Sequence, residues 1–204
     1  MRLAIAALTL SCALSLPAAA QTVPDTACAP RQANLGGIGR ASVVAFTGAV
    51  SGAAVCATVA NVSLDGFDAS VGEAPAPDAL VVAALGTGGD VSVPLREITL
   101  TGVGPYVVAP GGGFPPGGDM TEAPRLVLAF AGPRLVLIAT TAVELVDLTR
   151  ILRDRPDLFG ADAVERAVLI ASGPQATLSL RADSGTFGAP AVTSTSVLSL
   201  SKRR

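Results

Sequence analysis

The sequence predicts an α+β fold that is β-rich, with a largely antiparallel sheet packed against one main amphipathic helix at about residues 142–155. Three observations predict it. Short apolar or alternating runs bounded by Gly, Pro, Asp and Ser recur along most of the chain, the pattern of short strands joined by turns. One stretch alone carries apolar residues at helical spacing. The apolar content comes from Ala, Val and Leu, with no Trp, one Tyr and six Phe in 204 residues, so the core is expected to be built from small branched side chains that suit strands.

In chain order, Met1-Arg2 and the apolar run Leu3 to Leu16 precede Pro17 and Ala18-Ala19-Ala20. This is the three-part form of a bacterial-type secretory signal, with cleavage expected after Ala20. The run is shorter than the ~20 residues that span a bilayer, so a membrane anchor is not expected. Cys12 lies inside the run, which continues past it, so lipidation there is not expected either. Residues 21–204 are then read as a single exported domain, periplasmic or secreted, with no membrane span once the signal is gone.

Within that domain, residues 21–40 read as a polar leader and residues 41–108 as a β-rich half. Its strands are expected at 41–46, 53–62, 79–85, 91–95 and 98–100. Residues 109–119 form a glycine-rich loop, Gly111-Gly112-Gly113-Phe114-Pro115-Pro116-Gly117-Gly118 at its centre. No Gly-Lys-Ser/Thr follows, so this is no phosphate cradle of the P-loop kind.

A ββαββ-like half is expected over 124–200. Runs 125–130 and 134–140, split by Gly132-Pro133, predict a hairpin. Thr141-Ala142-Val143-Glu144 has the spacing of a capping box and predicts a helix start. Leu145, Leu148, Ile151 and Leu152 make one apolar stripe with Asp147, Arg150, Arg153 and Asp154 off it, and Pro156 ends the helix. A helical turn at 162–166, strands at 167–171 and 176–181 about Ser172-Gly173-Pro174, and a last strand at 193–201 complete the reading.

Composition excludes several functions. There is no histidine, which rules out His-activated nucleophiles and His-ligated zinc, and no metal or other cofactor is expected. Loss of Arg2 with the signal leaves thirteen basic and sixteen acidic residues, net −3. The only basic cluster is the terminal Lys202-Arg203-Arg204, so nucleic acid is not an expected partner. Cys28 and Cys56 are the two cysteines left after cleavage, and in an oxidising compartment they are expected to form a disulfide.

Carboxylate chemistry has two candidate pairs: Asp119 with Glu122 beside the glycine loop, and Asp65 with Asp68 in Leu64-Asp65-Gly66-Phe67-Asp68. Both pairs lie among turn residues, where Asp more often bonds its own backbone. Asn61-Val62-Ser63 matches a glycosylation sequon, read as incidental behind a bacterial-type signal.

Residues 124–200 also resemble the second half of the phosphodiester glycosidase family, which includes the enzyme that uncovers mannose 6-phosphate tags. The resemblance rests on an Arg opening a strand (Arg125), on its hairpin partner Arg134-Leu135-Val136-Leu137-Ile138, and on the helix Leu145-x-x-Leu148-x-Arg150-Ile151-Leu152-Arg153. It also rests on the strand and turn Ala167-Val168-Leu169-Ile170-Ala171-Ser172-Gly173-Pro174-Gln175. The family runs this last segment into an Asn-Leu-Asp-Gly-Gly turn. Here Leu169 stands in place of the Asn and Ala171 in place of the Asp, and the family's Asn-Gly-Gly-Phe-Phe motif is reduced to Gly112-Gly113-Phe114.

The resemblance implies ligand contacts at Arg125, Ser172, Gly173 and Gln175, with Arg125 meeting an anion. With those two replacements it implies a domain that has kept the scaffold and lost catalysis, binding a glycan or cell-envelope component. Two alternatives stand beside it. One is an active glycosidase on sugar-phosphate diesters using Asp119 and Glu122. The other is an unrelated periplasmic protein-interaction module.

Overall fold

The computed structural model describes residues 28–86, 88–113, 120–188 and 196–204. The expected signal segment, Asp119 and the start of the last expected strand lie outside the described residues. Among those described, the chain forms fourteen strands and one α-helix. The strands are β1 (Arg31–Asn34), β2 (Gly39–Thr47), β3 (Ala54–Ser63), β4 (Phe67–Gly72), β5 (Ala79–Ala84), β6 (Val91–Leu95) and β7 (Ile98–Val103). They continue with β8 (Tyr106–Val108), β9 (Ala123–Ala131), β10 (Arg134–Val143), β11 (Arg166–Ser172), β12 (Leu178–Ala182), β13 (Gly185–Gly188) and β14 (Val197–Lys202). The helix, α1, spans Leu145–Asp154.

A seven-stranded sheet runs in the order β1-β2-β3-β10-β9-β11-β8. A five-stranded sheet runs β13-β12-β5-β14-β4, and β6 with β7 makes a separate hairpin. Every pairing is antiparallel. Both sheets draw strands from both halves of the chain.

The seven-stranded sheet is covered on both faces, which is why β9 and β10 are nearly continuous apolar runs rather than alternating ones. Leu126, Leu128, Leu135 and Leu137 face the five-stranded sheet, meeting Val81, Leu180, Leu198 and Leu200. Val127, Ile138, Val59 and Val107 face the other way, against Leu145, Leu148 and Leu152 of α1 and against Phe159. The result is three layers, with the helix outermost on one side.

Cys28 and Cys56 form a disulfide with Cα atoms 5.2 Å apart, within the range that a bridge requires. This is the pairing expected from the sequence. No helix among the described residues is long and apolar enough to cross a membrane.

The β-rich, antiparallel character matches the expectation, but the α+β class does not. The single helix is ten residues long beside two sheets, so the molecule is mainly β. The helix expected at about 142–155 begins later, at Leu145, because β10 continues through Val143. Thr141 does not cap it: its hydroxyl accepts a hydrogen bond from the Cys56 N–H at 3.0 Å. Glu144 occupies the N-cap instead and makes no side-chain cap bond.

Asp147, expected on the solvent side, is fully buried. Its carboxylate accepts the Val50 N–H at 2.7 Å, the Ser51 N–H at 3.2 Å and the Ser51 hydroxyl at 3.4 Å. It thereby ties the first turn of α1 to the β2–β3 turn. A Cβ at Gly48 would stand 2.6 Å from Ser51 Oγ and 2.8 Å from Asp147 Oδ2, so a larger residue there would push these two side chains out of their bonded positions.

Two other elements differ. The helical turn expected at 162–166 is displaced to a 3-10 turn at Pro156–Phe159. Residues 167–171 and 176–181 do not pair as a hairpin. A 3-10 turn at Gly173–Gln175 carries the chain from one sheet to the other, where β12 pairs with β5 and β13.

Candidate functional site

The sequence places Arg125 at the start of the apolar run of β9, a position that the pairing register sets opposite Ser172 of β11. The two side chains meet, the Arg125 Nη1 donating to Ser172 Oγ at 2.8 Å. Arg125 is only 2% exposed. Its Nε donates to the Val143 carbonyl at 3.4 Å, its Nη2 to the Thr121 carbonyl, and its backbone N–H to Thr140 Oγ1 at 3.2 Å. One guanidinium thus joins the ends of β9, β10 and β11. A buried cation held by several oxygen acceptors is a stable arrangement, since each bond offsets part of its desolvation.

β11 is irregular where it reaches Ser172. Its register against β9 shifts between Leu169 and Ala171. The shift frees backbone groups that two glycine-bearing segments then use. The Gly86 N–H donates to the Ile170 carbonyl at 2.6 Å and the Gly104 N–H to the Leu169 carbonyl at 2.8 Å. The approach at Gly86 is tight, a Cβ there lying 3.1 Å from the Ile170 oxygen, and glycine is required beside it at Gly89, where a Cβ would lie 2.2 Å from the Val103 oxygen.

These segments and β11 enclose a cavity of about 180 Å3, walled by Gly86, Gly89, Gly104, Ala171, Ser172 and Gln175 among others. None of the described lining residues ionises. The cavity offers one hydroxyl, one amide and exposed peptide groups. Because Ser172 Oγ accepts from Arg125, its own O–H is left to donate elsewhere, and the neighbouring cation strengthens that donation.

Of the residues singled out from the sequence, the structure brings together Arg125, Ser172 and Gln175, with Gly173 in the turn between the last two. Ser172 and Gly173 are half-buried, and Gln175 is exposed. Glu122 is exposed and is not among the residues walling the cavity; Asp119 lies outside the described residues. Asp65 in the β3–β4 turn and Asp68 in β4 stand 3.9 Å from Arg96 and 3.9 Å from Arg203 respectively, an arrangement of surface ion pairs. Asn61 of the sequon is 7% exposed and wholly engaged in hydrogen bonds, so the folded chain does not present it for glycosylation. Among the described residues, no three Asp, Glu or Cys side chains cluster so as to hold a metal ion.

The glycines of the cavity wall were not singled out from the sequence. The signal that could have found them is the recurrence of Gly86, Gly88, Gly89, Gly102 and Gly104 at both ends of the β6–β7 hairpin. Only the fold shows that these ends converge on β11.

No protein-family model matches the chain, and no curated protein sequence matches it. Solved structures do. One is the zebrafish N-acetylglucosamine-1-phosphodiester α-N-acetylglucosaminidase catalytic domain auto-inhibited by its pro-peptide, at TM-score 0.52 and 12% identity. The match covers 79% of this chain and 82% of that one. Identity this low shows the fold alone, and what it shows is a phosphodiester-glycosidase-like fold.

Proposed function

We propose that the protein is an exported, phosphodiester-glycosidase-like domain that binds a glycan of the cell envelope and does not cleave it. The observation that carries this reading is the cavity at the end of β11, polar but uncharged in its described lining, with Ala171 in its wall. Glycoside hydrolysis in its common form needs two carboxyl groups, one to protonate the leaving oxygen and one to act as nucleophile or base. A hydroxyl oriented by a buried arginine, a primary amide and bare peptide groups are instead the donors and acceptors that match sugar hydroxyls. The cavity volume suits one sugar ring. Export is supported by the signal-like first twenty residues and by the Cys28–Cys56 disulfide, which belongs in an oxidising compartment.

The test is to incubate residues 21–204 with an N-acetylglucosamine phosphodiester and with neutral oligosaccharides, following both sugar release and binding. The expected result is saturable binding without release, weakened about tenfold by Ser172→Ala, the loss of one well-placed hydrogen bond. Release of sugar that Asp119→Ala or Glu122→Ala abolishes would overturn the non-catalytic reading. Failure of every glycan to bind would overturn the binding reading.

A further inference from the structure

At the opposite end of the seven-stranded sheet, on its helix-facing side, lies a groove of about 320 Å3. Its floor is set by strand register. Arg40 of β2 is directly opposite Asn61 of β3, Arg134 of β10 is opposite Ser63 two residues further along, and Ser42 is opposite Gln32 of β1. The far wall is the 3-10 turn ending at Phe159 and Gly160.

Asn61 fixes this wall to the floor. Its amide donates to the Phe159 carbonyl at 3.1 Å and to the Gly160 carbonyl at 2.7 Å, and its carbonyl oxygen accepts from Arg134 Nε. The remaining nitrogens of Arg134 take no partner among the described residues, and Arg40 takes none at all there. By the spacings of a sheet the two arginine Cα atoms stand roughly 12 Å apart, a gap that two arginine side chains can close around one group.

The acid in the groove does not cancel this charge. Asp157 is paired with Arg155 through two hydrogen bonds of 2.9 Å each. The Arg155 hydrogen bonds hold the Asp157 carboxyl below its ordinary value. Two guanidiniums with unused donors therefore share the groove with polar Ser42, Gln32 and Asn61 and with apolar Val44 and Leu158.

We propose that this groove is a binding site for a small organic anion, a sugar-sized molecule carrying a phosphate or carboxylate group held between Arg40 and Arg134. Guanidinium forks match both head groups, and the volume admits a body of one or two sugar rings. The site is separate from the glycine-walled cavity and does not depend on the reading given to it.

The test is calorimetric titration of residues 21–204 with glucose 1-phosphate, with glucuronate and with uncharged glucose. At least one anion is expected to bind saturably while glucose does not, and the tighter of the two identifies the head group. Arg40→Gln, at an exposed position that bears no structural bond, is expected to weaken binding roughly tenfold or more, the loss of one charge-assisted contact. Arg150→Gln, which removes an equal charge from the outer face of α1, is expected to leave affinity unchanged. Arg134→Gln, read beside its unfolding temperature, is expected to weaken binding in any preparation that still folds. Absence of binding by both anions, or equal losses in Arg40→Gln and Arg150→Gln, would overturn the proposal.

Discussion

Asp147 and Arg125 illustrate how single buried charges hold the chain ends of strands in place. Asp147 accepts two backbone N–H groups and a hydroxyl of the β2–β3 turn, and it also sits in the first turn of α1, where a negative charge is favoured. Asp147→Ala leaves those part-buried donors without their acceptor. It is expected to lower the free energy of unfolding by about 2–3 kcal/mol in denaturant titrations, and Asp147→Asn by less, since one acceptor survives. Arg125→Lys keeps the charge of Arg125 but not its fork, and should cost about 2 kcal/mol by the same measurement. Neither role was legible beforehand. Both depend on partners distant in sequence: Asp147 meets residues 96 and 97 positions away, and Arg125 meets Ser172 at a separation of 47.

At the scale of elements, α1 tests how far local signals reach. Its apolar stripe was readable because Leu145, Leu148 and Leu152 recur at helical spacing, and all three are buried. Leu148→Ala should therefore cost about 2–5 kcal/mol, as truncation of a fully buried leucine does. Its start was misread because a capping box and a strand end look alike when the hydroxyl bonds outside the helix, as Thr141 does to Cys56. Glu144 at the true N-cap has a carboxyl oxygen that is buried with no partner among the described residues. Glu144→Ser supplies a short cap acceptor in its place and should raise stability by about 0.5–1 kcal/mol, seen as a higher thermal midpoint. The long strands β2, β3, β9, β10 and β11 were legible from apolar runs between turn residues. The short edge strands β1 and β13 and the three-residue β8 carry too few residues to show a period. The Arg155–Asp157 pair just beyond α1 gives a sign for pH. The Asp157 carboxyl is lowered from 3.8 by its bond from Arg155, so its stabilisation is present above that ordinary value and fades as pH falls through the lower folded-state value. The stability gap between the native chain and Asp157→Asn should be constant at neutral pH and close only in strong acid, as denaturant midpoints across pH would show.

On the scale of the whole molecule, the disulfide and the interleaving of strands matter most. Cys28 and Cys56, 28 residues apart, anchor the start of the described chain to β3, and replacing both by serine should lower stability by about 3–4 kcal/mol, measured by denaturant unfolding under oxidising conditions. The candidate site itself was half legible. Arg125, Ser172 and Gln175 could be named from sequence. The glycine wall and the Arg40, Asn61 and Arg134 floor could not, because each draws its members from separate strands that only sheet register brings side by side.

The placement of β14 sets the order of assembly. It lies between β5 and β4 in the five-stranded sheet, although residues 197–202 are translated more than a hundred residues after either neighbour. Until those six residues leave the ribosome, β4 and β5 expose edges with no strand between them. The five-stranded layer can close only once β14 has been made. Pairings this distant in sequence close late and slow folding.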